Sequence, residues 1–315
     1  MRIIFAGTPD FACPTLEALI NSDHKVVAVY TQPDRPKGRN RQLSPSPVKE
    51  LAIANNIVVE QPINFKCQTA VDKFAKYKAD VFIVAAYGLI LPTTILELTE
   101  YNINVHASLL PKWRGAAPIQ NAILAGDPIT GVTIMEIVKE LDAGAIINTA
   151  SIGIADNITT AELSKKLSIM GADLIIETLD AMPEIWHSRV EQVDKYSSHA
   201  PKISKDMAII NWSNSAEQIS RQIRALQPWP STITQVGTTK LKILAIEIMQ
   251  ESDLNPGQLR LTSKQILVGT ATNNVCLKKI QLASKPAMTA EAVICGNSDL
   301  FKEPFLQPVN ENKQT

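Results

Sequence analysis

Short apolar runs rich in β-branched residues alternate with stretches of helical spacing through the first half of the chain. The runs Arg2 to Ala6, Lys25 to Tyr30, Val81 to Ala86, Asn102 to Val105 and Gly131 to Val138 predict strands. Between them, Pro14 to Ile20, Val48 to Asn55, Cys67 to Tyr77 and Ile119 to Leu124 carry apolar residues at helical intervals. Such alternation is the sequence sign of a parallel sheet with crossover helices. A longer helix is predicted over Thr159 to Ala181, ended by Met182-Pro183.

From Arg189 to Lys205 the pattern turns polar and irregular and reads as a linker. Beyond it, Asn214 and Glu217 stand at capping-box spacing before a helix with Ile219, Ile223 and Leu226 on one face. After Pro228-Trp229-Pro230 the period shortens to that of strands, over Thr232 to Val236, Leu241 to Ile248, Gln258 to Leu261, Gln265 to Gly269 and Val275 to Leu282. The expected fold is α/β: a doubly wound, Rossmann-like domain over residues 1–188, a linker over 189–205, and a small OB-like β-barrel over 206–315. The sequence contains no internal repeat and no low-complexity tract.

Composition adds little to this picture and excludes some classes. The 315 residues are 45% hydrophobic and 20% charged, as in an ordinary globular protein. Lys plus Arg and Asp plus Glu are both 31, so any attraction to nucleic acid must come from a local patch. Cys13, Cys67, Cys276 and Cys295 lack metal-site spacing, among themselves or with His24, His106, His187 and His199, so no metal is expected. They read as reduced thiols of a cytoplasmic protein. The opening run Ile3-Ile4-Phe5-Ala6 is too short for a signal peptide core or a membrane span, so no membrane partner is expected. Nor is an obligate protein partner evident in the sequence.

Candidate chemistry begins at Asn102-Ile103-Asn104-Val105-His106. Alternation along a strand puts the Asn104 amide and the His106 imidazole on one face, at the carboxyl end where open α/β sheets bind ligands. Structural hydrogen bonding by both residues is the simpler explanation of the pair taken alone. A loop follows from Ser108 to Gln120, its path set by Pro111, Gly115 and Pro118. Further on, Lys139-Glu140-Leu141-Asp142-Ala143-Gly144 reads either as a plain turn or as the source of a functional carboxylate, Asp142. Gly7-Thr8-Pro9-Asp10 follows the first strand where a dinucleotide fingerprint would stand, but the second and third glycines are missing, which argues against NAD.

Together these segments resemble the 10-formyltetrahydrofolate-dependent formyltransferases. The resemblance is carried by Asn104 and His106 at the strand end, Ser108-Leu109-Leu110-Pro111 with Gly115, and the later Asp142. Within that family the chain is most similar to members that formylate methionine on initiator tRNA. This likeness is carried by Phe5 to Phe11, Thr31-Gln32-Pro33-Asp34-Arg35-Pro36, Ser44 to Lys49, Ala86 to Pro92, Trp113 to Pro118, Asn211-Trp212-Ser213 and Pro228-Trp229-Pro230.

The resemblance implies formyl transfer from 10-formyltetrahydrofolate to an amine. Such a reaction passes through a tetrahedral carbon and needs donors for its oxyanion and a route for the amine proton. It implies Asn104 and His106 as those donors. Asp142 would orient His106, favour its charged form and help relay the proton. The pterin would lie against Tyr87, Gly88, Leu89, Ile90 and Leu91 and the loop residues Ser108, Leu109, Leu110 and Pro111.

Residues Pro33 to Lys49 hold Arg35, Lys37, Arg39, Arg41 and Lys49 against Asp34 alone. This is either a solvated loop or a local basic patch, and the resemblance assigns it to the acceptor end of the tRNA. Arg221 and Arg224, three apart on one predicted helix, suit further phosphate contacts, with Lys240, Lys242, Lys278 and Lys279 on the barrel strands. The alternative is a nucleotide-sugar N-formyltransferase, which shares the catalytic constellation; the basic loop and the Gly7 to Phe11 turn argue against it. A glycinamide ribonucleotide formyltransferase would leave the second domain without a role. A silent RNA-binding protein would not need Asn104, His106 and Asp142 together.

Overall fold

The computed structural model describes residues 1–37, 42–302 and 304–309. In chain order its strands are β1 (Arg2–Gly7), β2 (Lys25–Tyr30), β3 (Arg35–Lys37), β4 (Gln42–Ser44), β5 (Val59–Glu60), β6 (Val81–Ala85), β7 (Tyr101–His106), β8 (Arg114–Gly115), β9 (Ile129–Glu136), β10 (Ile146–Gly153) and β11 (His199–Ala200). They continue as β12 (Thr232–Val236), β13 (Thr239–Ile248), β14 (Leu259–Leu261), β15 (Ile266–Val268), β16 (Val275–Leu282), β17 (Ala287–Thr289) and β18 (Leu306–Gln307). The helices are α1 (Cys13–Ile20), α2 (Pro47–Ala54), α3 (Gln68–Ala75), α4 (Thr93–Leu96), α5 (Pro118–Ala125), α6 (Thr160–Asp180), α7 (Glu184–His187), α8 (Ala216–Ala225) and α9 (Ala290–Asn297).

The chain forms two compact units. The first comprises Met1–Pro118, Ile129–Gly153 and Leu163–Pro201. Its sheet has the order β10-β9-β7-β6-β1-β2-β5. β1 pairs in parallel with β2 and β6, and β6 with β7, so the order of use reverses on either side of β1, as in a doubly wound sheet. The parallel arrangement stops at β7: β9 runs antiparallel to β7, and β10 antiparallel to β9. No crossover helix separates β9 from β10, and so short a connection joins only antiparallel neighbours.

Strand alternation divides the core. Ile4, Ala6, Ala28, Tyr30, Phe82 and Val84 share one face of the sheet with Phe65, Phe74 and Ile95. Phe74 and Phe82 meet edge to face with ring centroids 5.0 Å apart. Ile3, Phe5, Val29 and Ile83, also fully buried, point to the opposite face. Helix α6 approaches β7 closely at Gly171, where a Cβ would lie 2.8 Å from a methyl of Val105. Only a residue without a side chain lets the helix backbone sit this near the strand.

The second unit comprises Ile119–Pro128, Ile154–Glu162 and Lys202–Thr315. Its strands run β14-β15-β16-β13-β12-β18, with β17 on the side of β16. The ends of this ribbon return to each other: the Leu259 N–H donates to the Pro304 carbonyl at 2.7 Å and the Leu306 N–H to that of Gly257 at 2.8 Å. These bonds nearly close the sheet into a barrel and satisfy an edge that would otherwise stand open. Helix α8 covers it with Ile219 and Ile223, which join Trp212, Leu241, Ile243, Val268 and Leu277 in the core.

The cap of α8 corrects the sequence reading by one residue. Ser215 Oγ accepts from the Gln218 N–H at 3.2 Å, and the Gln218 side chain accepts from the Ser215 N–H at 3.0 Å. Asn214, the expected cap, is engaged in the preceding turn, where its N–H donates to the Asn211 carbonyl. Two overlapping pairs had the right spacing, and the turn claimed the first. Replacing the buried Ile219 by Ala is expected to cost the second unit about 2–5 kcal/mol. Denaturant titration of the whole chain, followed through the buried Trp212, measures the loss, and a shift well below that range would contradict the packing described.

Candidate active site

The site is built on the carboxyl ends of β6 and β7. Register places Val84 of β6 beside Asn104, and pairs Asn104 with Met135 and His106 with Thr133 of β9. Bonded on both sides, β7 holds Asn104 and His106 on one face of a rigid sheet. The half-buried Asn104 amide makes no hydrogen bond among the described residues. His106 is only 6% exposed, and both its ring nitrogens face oxygens. Nε2 lies 3.0 Å from the Trp113 carbonyl, and Nδ1 lies 3.8 Å from Asp142 Oδ2. A carbonyl only accepts, so Nε2 carries the proton in the first contact.

Local hydrogen bonds shape the loop after β7. Ser108 is fully buried and its hydroxyl donates to the Lys112 carbonyl at 2.6 Å. Thr133 Oγ1 donates to the Ser108 carbonyl at 2.7 Å and accepts from the Leu110 N–H at 3.1 Å. The loop then turns through Trp113, whose φ of +65° is uncommon for a residue with a side chain. Its N–H donates to Ser198 Oγ at 2.9 Å, and β8 pairs with β11 directly after it. Trp113 is thereby held where its carbonyl reaches His106.

Asp142 sits in the turn between β9 and β10, also with a left-handed φ, +51°. Its Oδ2 accepts from the Gly115 N–H at 2.9 Å, which ties the turn to the β7 loop. The Gln192 amide donates to the carbonyls of Asp142 and Gly144 at 2.9 and 2.8 Å, and its oxygen accepts from Arg114 Nε at 2.9 Å. Left-handed backbone at non-glycine residues costs energy and persists where surrounding contacts over-determine it, a frequent mark of functional sites.

The structure therefore puts Asp142 3.8 Å from His106, two residues along β7 from Asn104, and the Tyr87–Leu91 segment follows β6, the strand paired with β7 at Asn104. Tyr87 is buried in the core, burial pushes its phenol up, and its carbonyl accepts from Gln32 Nε2 at 2.9 Å and from the Thr8 hydroxyl at 3.2 Å. Leu89 and Leu91 are half-buried against that core, and Ile90 is 92% exposed. Leu110 is buried, and Leu109 and Pro111 are half-buried. Sequence reasoning missed Thr133, Gln192 and Ser198. Thr133 is legible once the β7–β9 register is known, because it stands opposite His106; Gln192 and Ser198 lie in a polar stretch with no local signal. An open cleft of about 560 Å³ lies elsewhere, over Tyr30, Glu60, Cys67 and Lys73, three strands from β7.

The basic residues are more scattered. Arg35 and Lys37 lie on β3, which pairs with β4 as a hairpin; Arg39 and Arg41 lie outside the described residues. Arg221 and Arg224 are half-buried on α8, and an Arg224 Nη donates to the Ile158 carbonyl at 2.9 Å. Burial first, and the neighbouring Arg221 charge, press the Arg224 guanidinium below its ordinary range. Among the described residues no group of three His, Cys, Asp or Glu side chains is arranged to hold a metal ion, and no helix is long and apolar enough to cross a membrane.

Residues 1–179 match the family described as Formyl transferase, and residues 202–298 match Formyl transferase, C-terminal domain. The chain is 43% identical to the methionyl-tRNA formyltransferase of Pseudoalteromonas translucida (strain TAC 125), over 95% of each chain. It is 43% identical to the enzyme of the same name from Methylococcus capsulatus, over 92% of this chain and 95% of the relative. Among solved structures, the sugar 3N-formyl transferase WlaRD, crystallised with dTDP and 5-N-formyl-THF, has a TM-score of 0.66 at 19% identity and covers 91% of this chain and 99% of its own. HypX from Aquifex aeolicus in complex with tetrahydrofolic acid has a TM-score of 0.61 at 16% identity, covering 100% of this chain and 50% of its own. At these identities the structures establish a common fold.

Asp142→Ala leaves the Gly115 N–H without its acceptor and is expected to cost about 1 kcal/mol locally. Amide exchange at Gly115 should then quicken roughly tenfold relative to Asp142→Asn, which keeps an oxygen in place. Equal exchange in the two variants would show that the carboxylate does not hold this amide.

Proposed function

The chain belongs to the formyl transferase family, and from that premise we propose that it moves the formyl group of 10-formyltetrahydrofolate to the amino group of methionine on initiator methionyl-tRNA. The products are formylmethionyl-tRNA, which serves translation initiation, and tetrahydrofolate. The choice of acceptor is supported by the 43% identity, over 95% of each chain, with a relative named for it. The fold neighbours that act on sugars do not favour the alternative acceptor, because at 19% identity they speak for architecture alone. We place the reaction in the cytoplasm, with folate and tRNA as its partners.

The amine nitrogen attacks the formyl carbon, the C=O pair moves onto oxygen, and the bond from carbon to the folate nitrogen then breaks. One proton must pass from the amine to the departing nitrogen. The Asn104 amide, unengaged among the described residues, is the donor best placed for the oxyanion. A donor of this kind is worth about 3 kcal/mol in the transition state. His106 is the second donor, and exchanges the Trp113 carbonyl for substrate oxygen when it acts. Asp142 faces the ring's other side at 3.8 Å and, with Oδ2 engaged by Gly115, has Oδ1 to take the amine proton, directly or through water. The pterin is assigned to the wall formed by the Tyr87–Leu91 segment and Ser108 to Pro111, with half-buried Leu89, Leu91 and Leu109 as its apolar part.

The deciding assay offers 10-formyltetrahydrofolate with methionyl-tRNA and a dTDP-amino sugar as parallel acceptors. Transfer to the tRNA alone is expected. Asn104→Ala and His106→Ala should each lose on the order of a hundredfold in kcat with small changes in KM. Transfer to the sugar would overturn the acceptor, and near-normal kcat in either variant would overturn its catalytic role.

Arg35, Lys37, Arg39 and Arg41 are assigned to tRNA phosphates, with Arg221 and Arg224 contributing from the second unit. Binding should weaken steeply with salt, and replacing Arg39 and Arg41 together should lower the slope of log K against log salt by up to about two. An unchanged slope would remove them from the interface.

A further inference from the structure

The two substrate sites assigned above share one side chain. Gln32 follows β2 and is half-buried. Its amide nitrogen donates to the Tyr87 carbonyl at 2.9 Å, and its amide oxygen accepts from the Arg35 guanidinium. Tyr87 begins the segment assigned to the pterin, and Arg35 is the first residue of the hairpin assigned to tRNA. A single planar amide therefore joins them, and it cannot rotate about its last bond without losing both contacts.

Each end of this link is fixed by its own contacts. At the Tyr87 end the backbone is left-handed at Ala86, with φ +49°, and at Gly88, with φ +79°. A Cβ at Gly88 would stand 2.6 Å from Gln32 Nε2, so the amide packs directly on this turn. Thr8 Oγ1 braces the junction, donating to the Tyr87 carbonyl at 3.2 Å and accepting from the Gln32 N–H at 3.3 Å. At the hairpin end, Gln61 Nε2 donates to the Gln32 carbonyl at 2.9 Å and to Asp34 Oδ1 at 2.8 Å. Lys49 Nζ closes the knot, 2.7 Å from Asp34 Oδ2 and 2.8 Å from Gln61 Oε1. Hydrogen bonds from Lys49 and Gln61 hold the Asp34 carboxyl below its ordinary range, so the knot is intact at neutral pH. The base of the hairpin is thus rigid, and the guanidinium of Arg35 is the part that follows Gln32.

We propose that Gln32 is a positioning residue that couples the two sites, so that a folate seated on the Tyr87–Leu91 segment sets Arg35 for the phosphates of the acceptor tRNA. The proposal rests on the substrate assignments above. Coupling of this kind is reciprocal: the donor tightens the tRNA and the tRNA tightens the donor by the same factor. Neither Gln32 nor the link it makes touches the reacting atoms, so the effect appears in the binding of one substrate as a function of the other.

The test measures the Kd of methionyl-tRNA with and without saturating 5-formyltetrahydrofolate, which carries its formyl group on a nitrogen other than the transferring one. In the wild-type protein the folate is expected to tighten tRNA binding about fivefold or more. Gln32→Ala removes both contacts, and Gln32→Glu keeps an acceptor for Arg35 while offering no N–H to Tyr87. Both variants are expected to bring the factor close to one, and the KM for tRNA should no longer fall as donor concentration rises. The near-isosteric Gln32→Glu carries the test if the alanine variant fails to fold, and a purely structural role would lower Tm while leaving the factor unchanged. A factor retained in Gln32→Glu overturns the inference, as does a wild-type factor of one with formyl transfer intact. A wild-type protein with neither tRNA binding nor transfer would instead overturn the acceptor reading, and the inference with it.

Discussion

Everything at the site depends on the backbone ladder of β7. Hydrogen-bonded to β6 on one side and β9 on the other, this strand has no freedom to twist or slip, and its pleat turns Asn104 and His106 to the same face. A shift of one residue would exchange them for Ile103 and Val105, both buried core side chains. The apolar residues therefore fix the register, and the polar pair inherits it. Burial of Val105 against α6, made possible by Gly171, presses on the same ladder from behind. The geometry of the polar pair and core packing are in this sense one constraint.

The loops add what a sheet alone cannot. Trp113 and Asp142 adopt left-handed conformations that neither residue prefers, and in each case a polar side chain from the segment between α7 and β11 holds them: Ser198 for the first, Gln192 for the second. Such support from distant residues turns flexible turns into fixed positions, and hydrogen bonds that are individually modest suffice because several act on the same few atoms.

The architecture was largely legible in the sequence, because long runs with a clear period specify their own element. Five strands of the first sheet and the long α6 emerge in this way. What escaped were elements whose partners, not their composition, create them. β5 and β11 are two residues each, and β10 carries small polar residues on an exposed edge. The site divides along the same line. Asn104 and His106 follow from alternation on one strand, whereas Asp142 is recognisable only by resemblance, since a turn aspartate looks the same with or without a histidine across from it. Gln192 and Ser198 were invisible, because their importance lies in three backbone atoms far away along the chain.

That separation has a temporal side. The Trp113 amide waits for Ser198, 85 residues further along the chain, and β8 waits for β11 at the same remove. On a ribosome that makes the chain from its amino end, β7 and its neighbours through β9 emerge well before the residues that clamp the loop beside them. The sheet is thus available to fold first, and the oxygen that meets His106 is set in place only once synthesis has passed residue 200. The loop contact to His106 arrives as a late step, after the scaffold that carries it.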